Sequence, residues 1–150
     1  VMSEKLISVT LTQQHDYRFD IRFDDSMPLL TSDEPAPLGT GLGPSPVQLL
    51  CAAVGNCLSD SLLFALRKFK QVPEPLRCEV QAQVGRNADG RMRVLAMVAT
   101  LRLGVSAAKL DQIERVLGQF EDFCTVTQSV GQGIPIQIRV LDADGLLLKS

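Results

Sequence analysis

From Leu6 to Leu11 apolar and polar residues alternate, as in Ile7-Ser8-Val9-Thr10-Leu11, the period of a half-buried strand. A second alternation runs from Tyr17 to Asp24. It places Tyr17, Phe19, Ile21 and Phe23 on one face and Arg18, Asp20, Arg22 and Asp24 on the other. His15-Asp16 falls where a hairpin turn would join the two, and Leu29-Leu30-Thr31 reads as a third short strand. Residues 33–46 then carry prolines and glycines in place of any period, which predicts a connecting loop.

At Ser45-Pro46 the period changes. Ser is a good helix N-cap and Pro a good first helical residue. From there to about residue 70, Leu50, Val54, Cys57, Leu58, Ser61, Leu62 and Ala65 recur at three- and four-residue spacing. Leu49, Ala53, Leu63, Phe64 and Leu66 widen the apolar surface most of the way round, which predicts a central helix covered on several sides. Arg67, Lys68 and Lys70 lie on its last turn, where the helix dipole favours cations.

Pro73-Glu74-Pro75 ends that helix. Cys78–Val84 and Arg91–Leu103 alternate as strands around the hairpin turn Asn87-Ala88-Asp89-Gly90. Ser106 is placed to cap a helix holding Leu110, Ile113, Val116, Leu117 and Phe120. A short helix is predicted from about Cys124 to Gly131, with Glu121-Asp122 as its caps. Residues 134–140 form a last strand, where Pro135 marks an edge or a strand start. The order of strands, helix, strands, helices and strand predicts one α+β domain over residues 1–150 with mostly antiparallel pairing. A helix apolar nearly all round is hard to bury in one small subunit, so a symmetric dimer is expected.

Composition narrows the function. The 150 residues are 45% apolar and 21% charged, with a net charge of −2 and no basic block, so nucleic-acid binding has no electrostatic footprint. The apolar stretch near 47–66 is interrupted by Gln48, Gly55, Asn56, Ser59, Asp60 and Ser61, which argues against a membrane span. The first residues show no basic segment followed by an apolar one, so the reading expects a cytoplasmic protein with reduced thiols. The glycines at 39, 41 and 43 lack the strand–GxGxxG–helix setting of a nucleotide loop.

Two of the four cysteines carry candidate chemistry: Cys57, mid-way in the apolar helix, and Cys124, in Phe123-Cys124-Thr125-Val126-Thr127. Neither lies in a CxxC or CxH spacing, so metal binding is not expected. If the fold brings them together, one can attack an oxidant as thiolate and the other can close a disulfide. Cys51 and Cys78 read as small core hydrophobes, and His15 as a turn residue.

Gly43-Pro44-Ser45-Pro46-Val47-Gln48-Leu49-Leu50 with Ala52-Ala53-Val54-Gly55-Asn56-Cys57 resembles the central-helix signature of the OsmC/Ohr family, the osmotically inducible and organic-hydroperoxide-resistance proteins. Cys124-Thr125-Val126 and Gly131-Gln132-Gly133-Ile134-Pro135-Ile136 resemble that family's second cysteine segment. The resemblance implies an OsmC-like fold, an intertwined homodimer with antiparallel sheets packed around a long central helix. It implies a thiol peroxidase in which Cys57 is oxidised by an organic hydroperoxide and Cys124 resolves it. An external dithiol or lipoylated reductant would restore the thiols, with no metal or bound cofactor. Arg18 and Arg22 are the candidate substrate-binding cations. Val47 stands where typical members carry a Glu that orients an Arg, and Thr125 where they carry Pro. The alternative is a non-catalytic relative that binds a small apolar or thiol-reactive ligand at the dimer cleft.

Overall fold

A computed structural model describes residues 4–150. The chain divides into two compact units, one ending at Leu49 and the other running from Leu50.

The first unit holds a three-stranded antiparallel sheet, ordered β1 (Thr10–His15), β2 (Arg18–Arg22), β3 (Leu30–Ser32). The hairpin turns where the sequence predicts, with Asp16 in the left-handed region at φ 50°. The first strand, however, begins at Thr10 and not at Leu6. The turn fixes the register, and Thr10 pairs with Arg22, the last residue of β2. Leu6 and Ile7, 98% and 80% exposed, therefore have no partner strand to extend along. Ile21 is the buried apolar residue of β2, while Tyr17 and Phe23 are half-exposed.

Residues 33–44 are organised by one buried carboxylate. Asp33 accepts hydrogen bonds from the N–H groups of Glu34 (2.8 Å), Thr40 (3.4 Å) and Leu42 (3.2 Å) and from the Thr40 hydroxyl (2.9 Å). Burial would raise its pKa, but these donors outweigh it and hold the carboxyl down at about 2. Gly43 is required by close approach, since a Cβ there would lie 1.9 Å from the Thr31 carbonyl oxygen. Ser45 then caps the helix as expected. Its hydroxyl accepts from Gln48 N–H (3.3 Å) while Gln48 Oε1 accepts from Ser45 N–H (2.9 Å), a reciprocal capping box.

Helix α1 (Pro46–Lys68) starts at the predicted proline and stops two residues early, with Lys70 in the left-handed region at φ 59°. By length and composition alone it could cross a membrane. Its stripe Val54, Leu58, Leu62 and Leu66 is instead fully buried in the core of the second unit. The all-round burial predicted for it is incomplete within the chain, because Phe64 is 72% exposed.

The second unit carries a four-stranded sheet ordered β4 (Arg77–Arg86), β5 (Met92–Arg102), β6 (Ile136–Leu141), β7 (Leu147–Lys149). The β4–β5 hairpin turns at Asn87, whose side chain accepts the N–H groups of Asp89 and Arg91. Met97, Ala99, Leu101 and Leu103 face the core, as their alternation predicts. Gly55 lets α1 lie close on β4, for a Cβ there would stand 2.8 Å from Val80 Cγ2 and 3.3 Å from Cys78 Sγ. β6 runs parallel to β5, the one departure from antiparallel pairing among the described residues, and Pro135 precedes its first residue. β7 is not foreseen from the pattern.

The crossover from β5 to β6 also differs from the single helix expected after Ser106. It contains a 3₁₀ turn at Ala107–Lys109, helix α2 (Ile113–Leu117), a 3₁₀ turn at Phe120–Phe123 and helix α3 (Thr125–Val130). Ser106 caps as predicted (3.4 Å to Ala108 N–H). Tertiary acceptors then take donors a helix would use. Buried Asp142 receives the Ala107 N–H (3.0 Å), Gln71 receives that of Asp111 (2.8 Å), and Gln112 turns left-handed at φ 61°. Val116, Leu117 and Phe120 still reach the core.

Candidate functional site

Cys57 and Cys124 meet inside the second unit. Cys57 lies on α1 one residue before the buried Leu58, half-buried at the edge of the apolar stripe. Cys124 precedes α3 and is fully buried. Cys124 and the main-chain N–H groups of Val126 and Thr127 lie close enough to the Cys57 sulfur to act on its ionisation. Cys124 Sγ in turn donates to the Thr127 hydroxyl at 3.0 Å.

The backbone around Cys124 is held on three sides. Its N–H donates to Glu121 O (3.0 Å), Gln128 N–H donates to Cys124 O (2.9 Å), and the Gln128 side chain donates to Glu121 O (3.0 Å). Glu121 does not cap α3 as the sequence suggests. Its carboxylate pairs with Lys149 of β7, which also donates to Leu117 O, so the sheet edge ties down the turn that carries Cys124.

The electrostatics separate the cysteines by accessibility rather than by a cation. Burial pushes the Cys57 thiol up, the nearness of Cys124 adds to this, and the two N–H groups pull back less strongly. Burial likewise raises Cys51 and Cys78. These two flank Gly55 in a separate shallow hollow beside β4, apart from the Cys57–Cys124 contact. Among the described residues no group of three or more His, Cys, Asp or Glu is placed to hold a metal ion.

An open groove of about 680 Å³ lies further along α1, lined by neighbours in sequence of the two cysteines but by neither cysteine. Its walls include Ser61, one turn beyond Cys57 on α1, and Phe123, adjacent to Cys124, together with Phe64, Phe69 and Phe120. Arg115 stands over the Phe69 ring, 5.7 Å from its centre.

The two candidate cations belong to the first unit. Arg18 is mostly buried. Its Nη2 donates to the Thr40 hydroxyl (2.8 Å) and its Nε lies 3.6 Å from Asp33 Oδ2, without a hydrogen-bond partner of its own among the described residues. Arg22 is exposed and faces Asp25 at 3.8 Å, a surface pair of little energetic consequence. Sequence reasoning missed Asp33 and Thr127. The signal available for Thr127 was its spacing: a residue three beyond the residue preceding a helix folds back over that residue's side chain.

Comparison with known proteins decides the family. The OsmC-like protein family model matches residues 39–139, the span holding the helix start, both cysteines and the second sheet as far as β6. The chain belongs to the OsmC-like family. No curated protein matches it. Among solved structures, an OsmC-like protein of unknown function from Vibrio cholerae superposes with a TM-score of 0.76 at 19% identity, covering 93% of this chain and 100% of that one. The organic hydroperoxide resistance protein OhrB of Bacillus subtilis gives 0.68 at 16% identity, covering 91% and 99%. The organic hydroperoxide resistance protein OsmC of Legionella pneumophila gives 0.69 at 14%, covering 91% and 98%. At these identities the likeness establishes the OsmC-like α+β fold, which this chain shares over nearly its whole length.

Proposed function

We propose that this OsmC-like protein is a thiol-dependent peroxidase that reduces organic hydroperoxides, with Cys57 as the attacking sulfur and Cys124 as the resolving one. The observation that carries the reading is the nearness of these two thiols, brought together from distant parts of the chain. Exposure supports this order of roles, since Cys57 is half-buried and Cys124 is fully buried. The Cys57 thiolate attacks the outer peroxide oxygen, the O–O bond breaks, and the alcohol leaves with a proton. The resulting Cys57 sulfenic acid is attacked by Cys124: the S–S bond forms, the S–O bond breaks and water departs. An external dithiol, such as a lipoylated protein, reduces the disulfide back to two thiols.

The phenylalanine-walled groove further along α1 favours an apolar organic group over hydrogen peroxide. Of the two candidate substrate-binding cations Arg18 is the more firmly held, since Asp33 and Thr40 fix it while Arg22 is exposed. Phe64 and Phe123 on one unit, and Leu11, Tyr17 and Leu29 on the other, leave apolar surface that a homodimer would cover. The protein works in the cytoplasm, where thiols stay reduced.

The test is consumption of cumene hydroperoxide with a dithiol reductant, wild type against Cys57→Ser. Turnover lost only in the variant supports the reading, and equal background rates refute it. A second reading, a non-catalytic relative that binds a small apolar or thiol-reactive ligand at the dimer cleft, is favoured by two observations. Val47 replaces the orienting Glu, and burial raises the Cys57 thiol. It predicts a protein that binds such a ligand and consumes no peroxide.

A further inference from the structure

We infer that Thr127 carries the Cys124 proton away as the disulfide closes, an assignment that rests on the peroxidase reading above. Thr127 is 5% exposed and lies by both sulfurs. Its main-chain N–H lies toward the Cys57 sulfur, and its hydroxyl accepts the Cys124 thiol proton at 3.0 Å. Both contacts follow from the local fold. Cys124 is the residue that precedes α3 and Thr127 is the third residue of that helix, so the threonine side chain lies back against the cysteine. Cys124 is fully buried among apolar core residues, so water cannot take its proton directly.

The closing step must nevertheless move a proton. Cys124–SH and Cys57–SOH give the disulfide and water, so the hydrogen on Cys124 ends on the oxygen that leaves Cys57. A hydroxyl can accept and donate at once. As Cys124 Sγ bonds to Cys57 Sγ, Thr127 Oγ1 receives the thiol proton and passes its own to the departing oxygen. The Thr127 N–H meanwhile keeps the sulfur under attack in place.

The experiment uses the full chain, oxidised with one equivalent of cumene hydroperoxide. Sulfenic acid is trapped with a 1,3-dione and disulfide is counted by mass spectrometry at successive times. In Thr127→Val, Cys57 sulfenic acid should still form, which shows an intact site, while the ratio of closure to sulfenic acid formation falls by about tenfold or more. Thr127→Ser, which keeps the hydroxyl, should close near the wild-type rate. Wild-type closure should also be nearly flat in pH, because the relay uses the protonated thiol. Closure in the valine variant should instead depend on pH, because without the relay a base must take the thiol proton. Sulfenic acid followed by unchanged closure in Thr127→Val overturns the relay alone, as does a wild-type closure rate that climbs steeply with pH. A wild type that forms no sulfenic acid at Cys57 overturns the peroxidase reading and the relay with it.

Discussion

Gly55→Ala tests the packing that sets the position of Cys57. Alanine should gain about 1 kcal/mol of helix propensity in mid-helix. The added methyl, however, would sit 2.8 Å from Val80 Cγ2 and 3.3 Å from Cys78 Sγ, where ordinary contact begins at 3.4 Å. Val80 is stiff at χ1 and lies on a paired strand, so it cannot swing aside. Overpacking of this kind costs about 1–3 kcal/mol. The expected net effect is a loss of up to about 2 kcal/mol, read from urea unfolding followed by circular dichroism. Val80→Ala removes the obstructing methyl. In that background Gly55→Ala should become stabilising by up to about 1 kcal/mol, giving a coupling of about 1–3 kcal/mol across the double-mutant cycle. A Gly55→Ala protein stabilised by about 1 kcal/mol in both backgrounds, with no coupling, would refute the close approach of α1 to β4.

Two further outcomes follow from ionisation. Asp33 is held at about 2, well below its unfolded value, so its hydrogen bonds stabilise the fold above about pH 4 and are lost as the pH falls toward 2. Hydrogen exchange of the Thr40 and Leu42 amides should accelerate through that window, and in Asp33→Asn the same amides should be poorly protected already at neutral pH, with the acid transition gone. The Cys57 thiol is raised, so its thiolate is scarce at neutral pH. Iodoacetamide labelling of Cys57 should therefore climb about tenfold per unit through pH 8 without levelling off; a plateau near pH 6 would contradict the burial that raises it.

The pattern of the chain carried most of the fold because its strong periods coincide with its buried faces. The stripe Val54, Leu58, Leu62, Leu66 and the alternation Met97, Ala99, Leu101, Leu103 are core because each has one consistent apolar side. Ser45 and Gln48 announce the start of α1 in the sequence itself. The errors lie where long-range partners decide. The first strand begins only at Thr10, where β2 first offers it a partner, and the helix after Ser106 is broken by Asp142 and Gln71, which lie elsewhere in the chain. The pairing of Cys57 with Cys124 was legible only through resemblance, since no local spacing links them. Asp33 was illegible for the same reason, since a carboxylate becomes a structural group only when folding buries it beside its donors, while Thr127 was legible only as a spacing from Cys124.

The central claim is that Cys57 and Cys124 form one redox couple. The most direct measurement oxidises the reduced protein with one equivalent of cumene hydroperoxide and maps the thiols by peptide mass spectrometry. The account predicts a Cys57–Cys124 disulfide formed with one equivalent of cumyl alcohol released, while Cys51 and Cys78 stay reduced. Recovery of both Cys57 and Cys124 as free thiols, with the hydroperoxide unconsumed, would contradict it.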